Sequence, residues 1–174
     1  VRLDYEMAYC LYAGLVTDTG NFRWGTPRMH TLAAELIGFG LDTRQIALDL
    51  MDSMSALDLR IMGSVLADLQ VYREKGLTVS VFAVPAESLA QMSQTTVESI
   101  IDYARALEGS DVGVVFKQQA RNYWAVSLRS TVIDVSLVAA RLGGGGHVPA
   151  AGYSATGSLD SVVRELLAAL PERS

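Results

Sequence analysis

The apolar residues of this chain change their spacing once, and that change bounds the fold. Up to about residue 67 hydrophobic side chains recur at intervals of three and four, as on amphipathic helices. From residue 69 several stretches alternate with a period of two, as on strands with one buried face. The expected class is α/β (α+β): a helical unit over residues 1–67, then a mixed-sheet α/β unit over 68–174, joined closely because no low-complexity linker separates them. Half of the 174 residues are hydrophobic and 19% are charged, so a core is readily assembled and a disordered composition is excluded.

In the helical part Leu3, Met7, Leu11 and Leu15 predict the buried stripe of a first helix, which stops at the polar turn Thr17-Asp18-Thr19-Gly20. Thr26-Pro27 predicts a second start, with Thr26 as N-cap and Pro27 at the first helical position, and an end at Gly38 or Gly40. Asp42 opens a short third helix through Ile46, Leu50 and Met51, and Ser55-Ala56-Leu57-Asp58 reads as a capping box before a fourth through Ile61 and Val65. Beyond, residues 69–73 and 77–84 predict a hairpin around Glu74-Lys75-Gly76. Pro85 opens one helix and the box Thr95-Thr96-Val97-Glu98 another; residues 111–117 and 123–129 pair around the loop Gln118 to Asn122. A helix near 134–142, a run of four glycines, a strand near 152–156 and a helix over about 159–170 complete the chain.

Fourteen basic against nineteen acidic side chains give a net charge of −5, and no basic run is present. That balance argues against gripping long duplex nucleic acid, whose binding rests on neutralising many phosphates, and leaves a small anionic ligand in one local pocket. The single cysteine, Cys10, forms no internal disulfide, no charged-then-apolar leader is present and the apolar runs are too short to span a bilayer, so a cytoplasmic protein without membrane contact is expected. The first residue is Val1, not methionine, which suggests the C-terminal part of something longer. Cys10 is expected buried in its helix without a basic activator, His30 structural, and Met51, Met54 and Met62 core filler.

The strongest chemical signal is Gly143-Gly144-Gly145-Gly146-His147-Val148-Pro149-Ala150-Ala151-Gly152. Gly143 suits the left-handed position after a helix end, but four glycines exceed what a cap requires. Without Cβ atoms, Gly144, Gly145 and Gly146 can turn their N–H groups toward one point as an anion-binding nest, with His147 at the rim to donate to a phosphate or move a proton. A flexible hinge with an exposed His147 is the plainer account. The strand before it favours the nest: Trp124, Val126 and Leu128 share one face, Ser127 and Arg129 the other, and Arg129 and Ser130 leave the strand on its polar side. A guanidinium fork, a hydroxyl, amides and an imidazole suit a phosphate mono- or diester. Lys117 reads as a solvated charge or a weak phosphate contact and stays outside the expected site. The turn at Asp18 reads as capping or as a hard-oxygen metal ligand, and one carboxylate alone does not build a Mg²⁺ or Mn²⁺ site.

Gly14-Leu15-Val16-Thr17-Asp18-Thr19-Gly20-Asn21-Phe22 resembles the last conserved motif of the DHH phosphoesterases. Ser127-Leu128-Arg129-Ser130, Asp134-Val135-Ser136 and the Gly143–Gly152 stretch resemble the DHH-associated C-terminal domain in the nanoRNase and phosphoadenosine-phosphate phosphatase branch. The resemblance implies the tail of a catalytic domain over 1–67 and a substrate-binding domain over 68–174. It implies two Mn²⁺ ions acting on a water and on phosphoryl oxygens, with Asp18 as metal ligand and catalytic residue. Arg129, Ser130, Gly144, Gly145, Gly146 and His147 would hold the substrate phosphate, His147 also serving catalysis. Short oligoribonucleotides, 3′-phosphoadenosine 5′-phosphate and, in some members, cyclic dinucleotides are the implied substrates, and a homodimer is compatible with the reading. The Asp-His-His triplet and the other metal motifs do not precede Asp18 here, so the expectation is a substrate-holding half that does not hydrolyse by itself. The alternatives are a nucleotide or RNA-end binding module without hydrolysis, as the related domain is in alanyl-tRNA synthetases, and an assembly element.

Overall fold

A computed structural model describes residues 2–23, 25–51 and 54–173, and it divides into two compact units at Met54/Ser55. The first unit contains helices α1 (Tyr5–Asp18), α2 (Pro27–Ile37) and α3 (Thr43–Leu50). Asp4 caps α1 by accepting from Met7 N at 2.9 Å, and Asp42 caps α3 by accepting from Gln45 N at 3.0 Å. Thr26 takes the extended backbone of an N-cap, but its side chain makes no capping bond. Proline at the next position reduces the need for one.

Of the stripe expected on α1, Leu3 and Leu15 pack against the core and Met7 and Leu11 do not. Ala8, Tyr12 and Val16 are buried against Ala33, Leu36, Leu41 and Ile46, whereas Met7 and Leu11 are 41% and 53% exposed. Each residue turns the helix by about 100°, so a stripe one position away faces a different direction, and packing against α2 and α3 selects the stripe with the smaller Ala8. Cys10, expected buried, is exposed for the same reason.

The second unit opens with α4 (Ala56–Ala67), followed by β1 (Gln70–Glu74), β2 (Leu77–Val84), α5 (Ala86–Leu89) and α6 (Gln94–Ala106). Then come β3 (Val112–Ala120), β4 (Tyr123–Ser130), α7 (Val135–Arg141), β5 (Gly145–His147), β6 (Ala150–Thr156) and α8 (Leu159–Ala169). The division into compact units lies before α4. The physical reason is Asp58. It completes the capping box with Ser55 and also accepts from Ser93 N at 2.8 Å, tying α4 to the start of α6. Ser93 is also the N-cap of α6, through Thr96 N at 3.3 Å, in place of the expected box at Thr95; Glu98 accepts instead from Gln94 Nε2.

The six strands lie in the order β1-β2-β3-β4-β6-β5. Only β2 and β3 run parallel, and α5 and α6 make the crossover that a parallel pair needs. Strands β3 and β4 extend into the expected 118–122 loop, leaving a tight turn with Asn122 at φ 57°. One sheet face is buried under α7 and α8 around Phe116, Leu128, Val135, Val138 and Leu166. Helix α6 packs on the other face at β2 and β3, closely enough that a Cβ on Gly113 would stand 2.8 Å from the Ala104 backbone. The C-terminal end is latched to the β1–β2 hairpin: Lys75 Nζ donates to Ala168 O and Leu170 O, both at 2.7 Å. Arg173 pairs with Asp111 through both guanidinium nitrogens, at 3.0 and 3.1 Å.

Candidate functional site

Strand pairing places the chemistry. Residues directly opposite each other in a ladder share a face, so the register assembles rows that the linear sequence scatters. Arg129 on β4 lies opposite Ala150 on β6, which lies opposite His147 on β5. Ser127 lies opposite Gly152, and Gly152 opposite Gly145. Lys117 on β3 lies opposite Ala125, and Ala125 opposite Ser154. The backbones of Arg129 and His147 are thus two strand spacings apart, about 10 Å. This is the face of α6, and over β4, β6 and β5 it is open: Ser127, Arg129, Ala150 and Gly152 are partly exposed, Gly145, His147 and Ser154 exposed.

The glycine run is not the expected nest. Gly143, at φ 79°, is the left-handed residue after α7, and the amides of Gly143 and Gly144 donate to Ala140 O and Ala139 O at 3.2 and 2.8 Å. Gly145 to His147 then form the edge strand β5. A Cβ on Gly144 would stand 2.5 Å from Tyr153 Cβ, and one on Gly146, at φ 146°, would stand 2.5 Å from Ala151 Cα. Those glycines let β5 lie close over β6. Gly145 differs: no atom lies within 4 Å of its Cβ position. Its missing side chain leaves free room beside Gly152 and Ser127, on the open face.

Ser130 is not brought to that face. It is 3% exposed, donates to Asp111 O at 2.7 Å and accepts from the amides of Val132 and Ile133, both at 3.0 Å. With donor and acceptors occupied, its hydroxyl shapes the turn out of β4. Ser127, two strand positions earlier in the face pattern of Arg129, is the hydroxyl that the open face presents.

A cavity of about 260 Å³ opens between α6 and the sheet, lined by Val97, Glu98, Val115, Lys117, Ser127 and Arg129 among others. Burial pushes the Lys117 ammonium below its ordinary range, Glu98 draws it back up and Arg129 pushes it further down. Burial likewise lowers Arg129, with Asp102 opposing and Arg105 adding to the shift. Arg129 Nη1 donates to Leu128 O at 3.0 Å. Among the described residues no carboxylate lies within ion-pair distance of Lys117 or Arg129. Two half-buried cations on one wall, with Arg129 disfavouring the charge of Lys117, suit an anion.

Asp18 belongs to the first unit. It is exposed at the end of α1, where Gly20, Asn21 and Phe22 all carry positive φ, at 55°, 58° and 62°. Thr19 stabilises that turn: its hydroxyl donates to Leu15 O at 2.7 Å and accepts from Phe22 N at 3.0 Å. His30 is exposed and its ring stacks on Phe22 at 5.2 Å.

Residues 75–173 match the DHHA1 domain model. The chain belongs to the DHHA1 domain family. It is 34% identical to the bifunctional oligoribonuclease and PAP phosphatase NrnA of Thermus thermophilus, over 99% of this chain and 52% of that protein. It is 26% identical to the probable NrnA of Streptococcus mutans, over 87% of this chain and 49% of that one. These relatives put it in the NrnA branch of the DHH family, and the chain spans about half their length. The crystal structure of an exopolyphosphatase-related protein from Bacteroides fragilis shares the fold, with a TM-score of 0.82, 24% identity, 95% of this chain covered and 50% of the other.

For this DHHA1 domain chain the implied metal pair can be tested against the residues present. Among the described residues no group of three or more His, Cys, Asp or Glu side chains is placed to hold a metal ion. Asp18 with its own neighbours therefore does not fit a two-metal centre, which needs several hard ligands converging. Lys117, Ser127 and Glu98 are the residues that sequence reasoning left out of the site. Their signal was the face pattern itself: Lys117 has the parity of Val115, and Ser127 that of Arg129. Among the described residues no helix is long and apolar enough to cross a membrane.

Proposed function

We propose that this chain is the substrate-holding half of a metal-dependent phosphoesterase that acts on short oligoribonucleotides and 3′-phosphoadenosine 5′-phosphate. The observation that carries the reading is the cross-strand row Arg129–Ala150–His147, beside the side-chain-free floor of Gly145 and Gly152. Arg129 offers a two-pronged donor set to phosphate oxygens, His147 donates from the far edge, and the glycines let the ligand approach the backbone. A small local platform on a chain of net charge −5 suits a nucleotide or a short RNA end better than a long polymer. The activities for which the NrnA relatives are named support the substrate class. Hydrolysis by two Mn²⁺ ions, with Asp18 as one ligand, is proposed for a whole protein that supplies the remaining ligands; this chain contributes binding and orientation.

Titration of adenosine 3′,5′-bisphosphate into the chain and into an Arg129→Ala, His147→Ala double variant tests the reading. Loss of two charge-assisted contacts predicts a weakening on the order of tenfold or more. Equal affinity in the two proteins removes the phosphate-site assignment. Incubation with Mn²⁺ and a 5′-phosphorylated diadenylate addresses the division of labour, and turnover at the rate of a full-length relative contradicts it.

A further inference from the structure

The cavity beside Arg129 does not end at Lys117. A second space of about 340 Å³ adjoins it, sharing Val97, Glu98 and Lys117 and continuing to Leu89, Met92 and Gln119. Small-ligand sites run at roughly 300–1,000 Å³, so the first space alone is below that range and the two together lie well inside it. Along this groove the chemistry changes in order. Arg129 and Ser127 stand at one end, Lys117, Glu98 and Val97 in the middle, and the apolar Leu89 and Met92 at the other. Lys117 and Arg129 are four residues apart in register on one face, about 13 Å along the sheet, with Ser127 between them.

We propose that this groove is a subsite for the second nucleotide of an oligoribonucleotide: Lys117 receives its phosphate, and the Leu89–Met92 end lies against its base. The inference rests on the phosphate platform at Arg129 and His147. A ligand with anions spaced along its length and a flat apolar face beyond the second matches the order of groups; a nucleoside 5′-monophosphate fills only the Arg129 end. Glu98 is the one carboxylate on the path. Gln94 Nε2 donates to its Oε1 at 2.8 Å, which holds it to the α6 side. There it supports the charge of Lys117 and accepts from a sugar hydroxyl, the group that separates RNA from DNA.

The test uses the 174-residue chain with two probes, adenosine 5′-monophosphate and 5′-phosphorylated diadenylate, by calorimetric titration. The unmodified chain is expected to prefer the dinucleotide by roughly tenfold, the scale of one charge-assisted contact with partial stacking. Lys117→Gln and Gln119→Trp are two independent probes of the groove. The first removes the cation; the second places a bulky ring at an exposed position of the groove wall, outside the core. Each is expected to weaken the diadenylate more than the monophosphate and so erase the preference, and Lys117→Arg is expected to keep it. Equal loss for both probes, or an unchanged preference in both variants, overturns the subsite. If the unmodified chain binds neither probe, the platform at Arg129 and His147 fails, and the subsite with it; if it binds the monophosphate with no preference for the dinucleotide, only the subsite fails.

Discussion

Three adjacent glycines that look equivalent in sequence are expected to respond to alanine in three different ways. At Gly144 the new methyl would press on Gly152 O and stand 2.5 and 2.7 Å from Tyr153 Cβ and Cα, all parts of β6 that cannot swing aside. Overpacking against backbone costs about 1–3 kcal/mol, and the upper half of that range applies because little of the obstacle is flexible side chain. At Gly146 a comparable clash, 2.5 Å from Ala151 Cα and 2.6 Å from Ala150 O, combines with φ 146°, a region that costs an L-residue about 1–3 kcal/mol more. At Gly145 no atom lies within 4 Å of the Cβ position and φ is not positive, so Gly145→Ala is expected to gain about 0.4–1 kcal/mol by restricting the unfolded chain. Urea or thermal unfolding followed by Trp124 fluorescence and circular dichroism reads these differences, each kcal/mol moving Tm by about 2–4 °C at this chain length. The same three proteins then go into the bisphosphate titration. Gly145→Ala, folded and no less stable than the parent, is expected to bind more weakly because its methyl stands where the ligand approaches. A Gly145→Ala protein as unstable as Gly144→Ala, or a Gly144→Ala protein indistinguishable from the parent, refutes this account of β5.

Tyr153 is 7% exposed and, among the described residues, its hydroxyl has no hydrogen-bond partner, so Tyr153→Phe is expected to be neutral or up to about 1–2 kcal/mol more stable in urea titration. Burial, with Glu165 adding, holds the Tyr153 phenol far above its ordinary range. A raised folded value gives a contribution present at lower pH and lost as pH rises: above about pH 10 the unfolded phenol ionises first, so alkaline destabilisation should be shallower in Tyr153→Phe. Asp58 is depressed, first by the Ser93 amide and then by the Ser55 hydroxyl. The sign is opposite: its stabilisation is present above about pH 4 and lost as pH falls through the lower folded value, and acid titration of Asp58→Asn should show a lower plateau with a weaker acid-limb slope. Arg173→Ala removes both bonds to the buried Asp111 carboxylate; because Arg173 is 51% exposed, a loss of about 1–2 kcal/mol in chemical denaturation is expected, and no loss contradicts the latch.

Helix and strand positions in this chain were legible wherever one local rule sufficed. The box Ser55–Asp58, the cap Asp42 and the alternation along β4 all depend on residues within four positions of one another. Failures occurred where two local rules competed. Leu3-Met7-Leu11-Leu15 and Ala8-Tyr12-Val16 are both valid helical stripes, and only the neighbours in α2 and α3 choose between them. Thr95 and Ser93 both suit an N-cap, and Asp58, reaching from α4 to the Ser93 amide, selects Ser93.

The candidate site divides the same way. Sequence alone determined that Ser127 and Arg129 face away from Leu128, because side chains alternate along any strand whatever it pairs with. It also determined that a helix ends at Gly143, because only a residue free to take positive φ closes the helix cheaply there. Tertiary structure alone decided that Arg129 and His147 share a row, that Ser130 turns inward, that Gly144 and Gly146 serve packing while Gly145 leaves space, and that Lys117 is half-buried beside Arg129. Those outcomes depend on register between strands some twenty residues apart. That register is set by how the opposite face of the sheet packs on α7 and α8, which no window of local sequence contains.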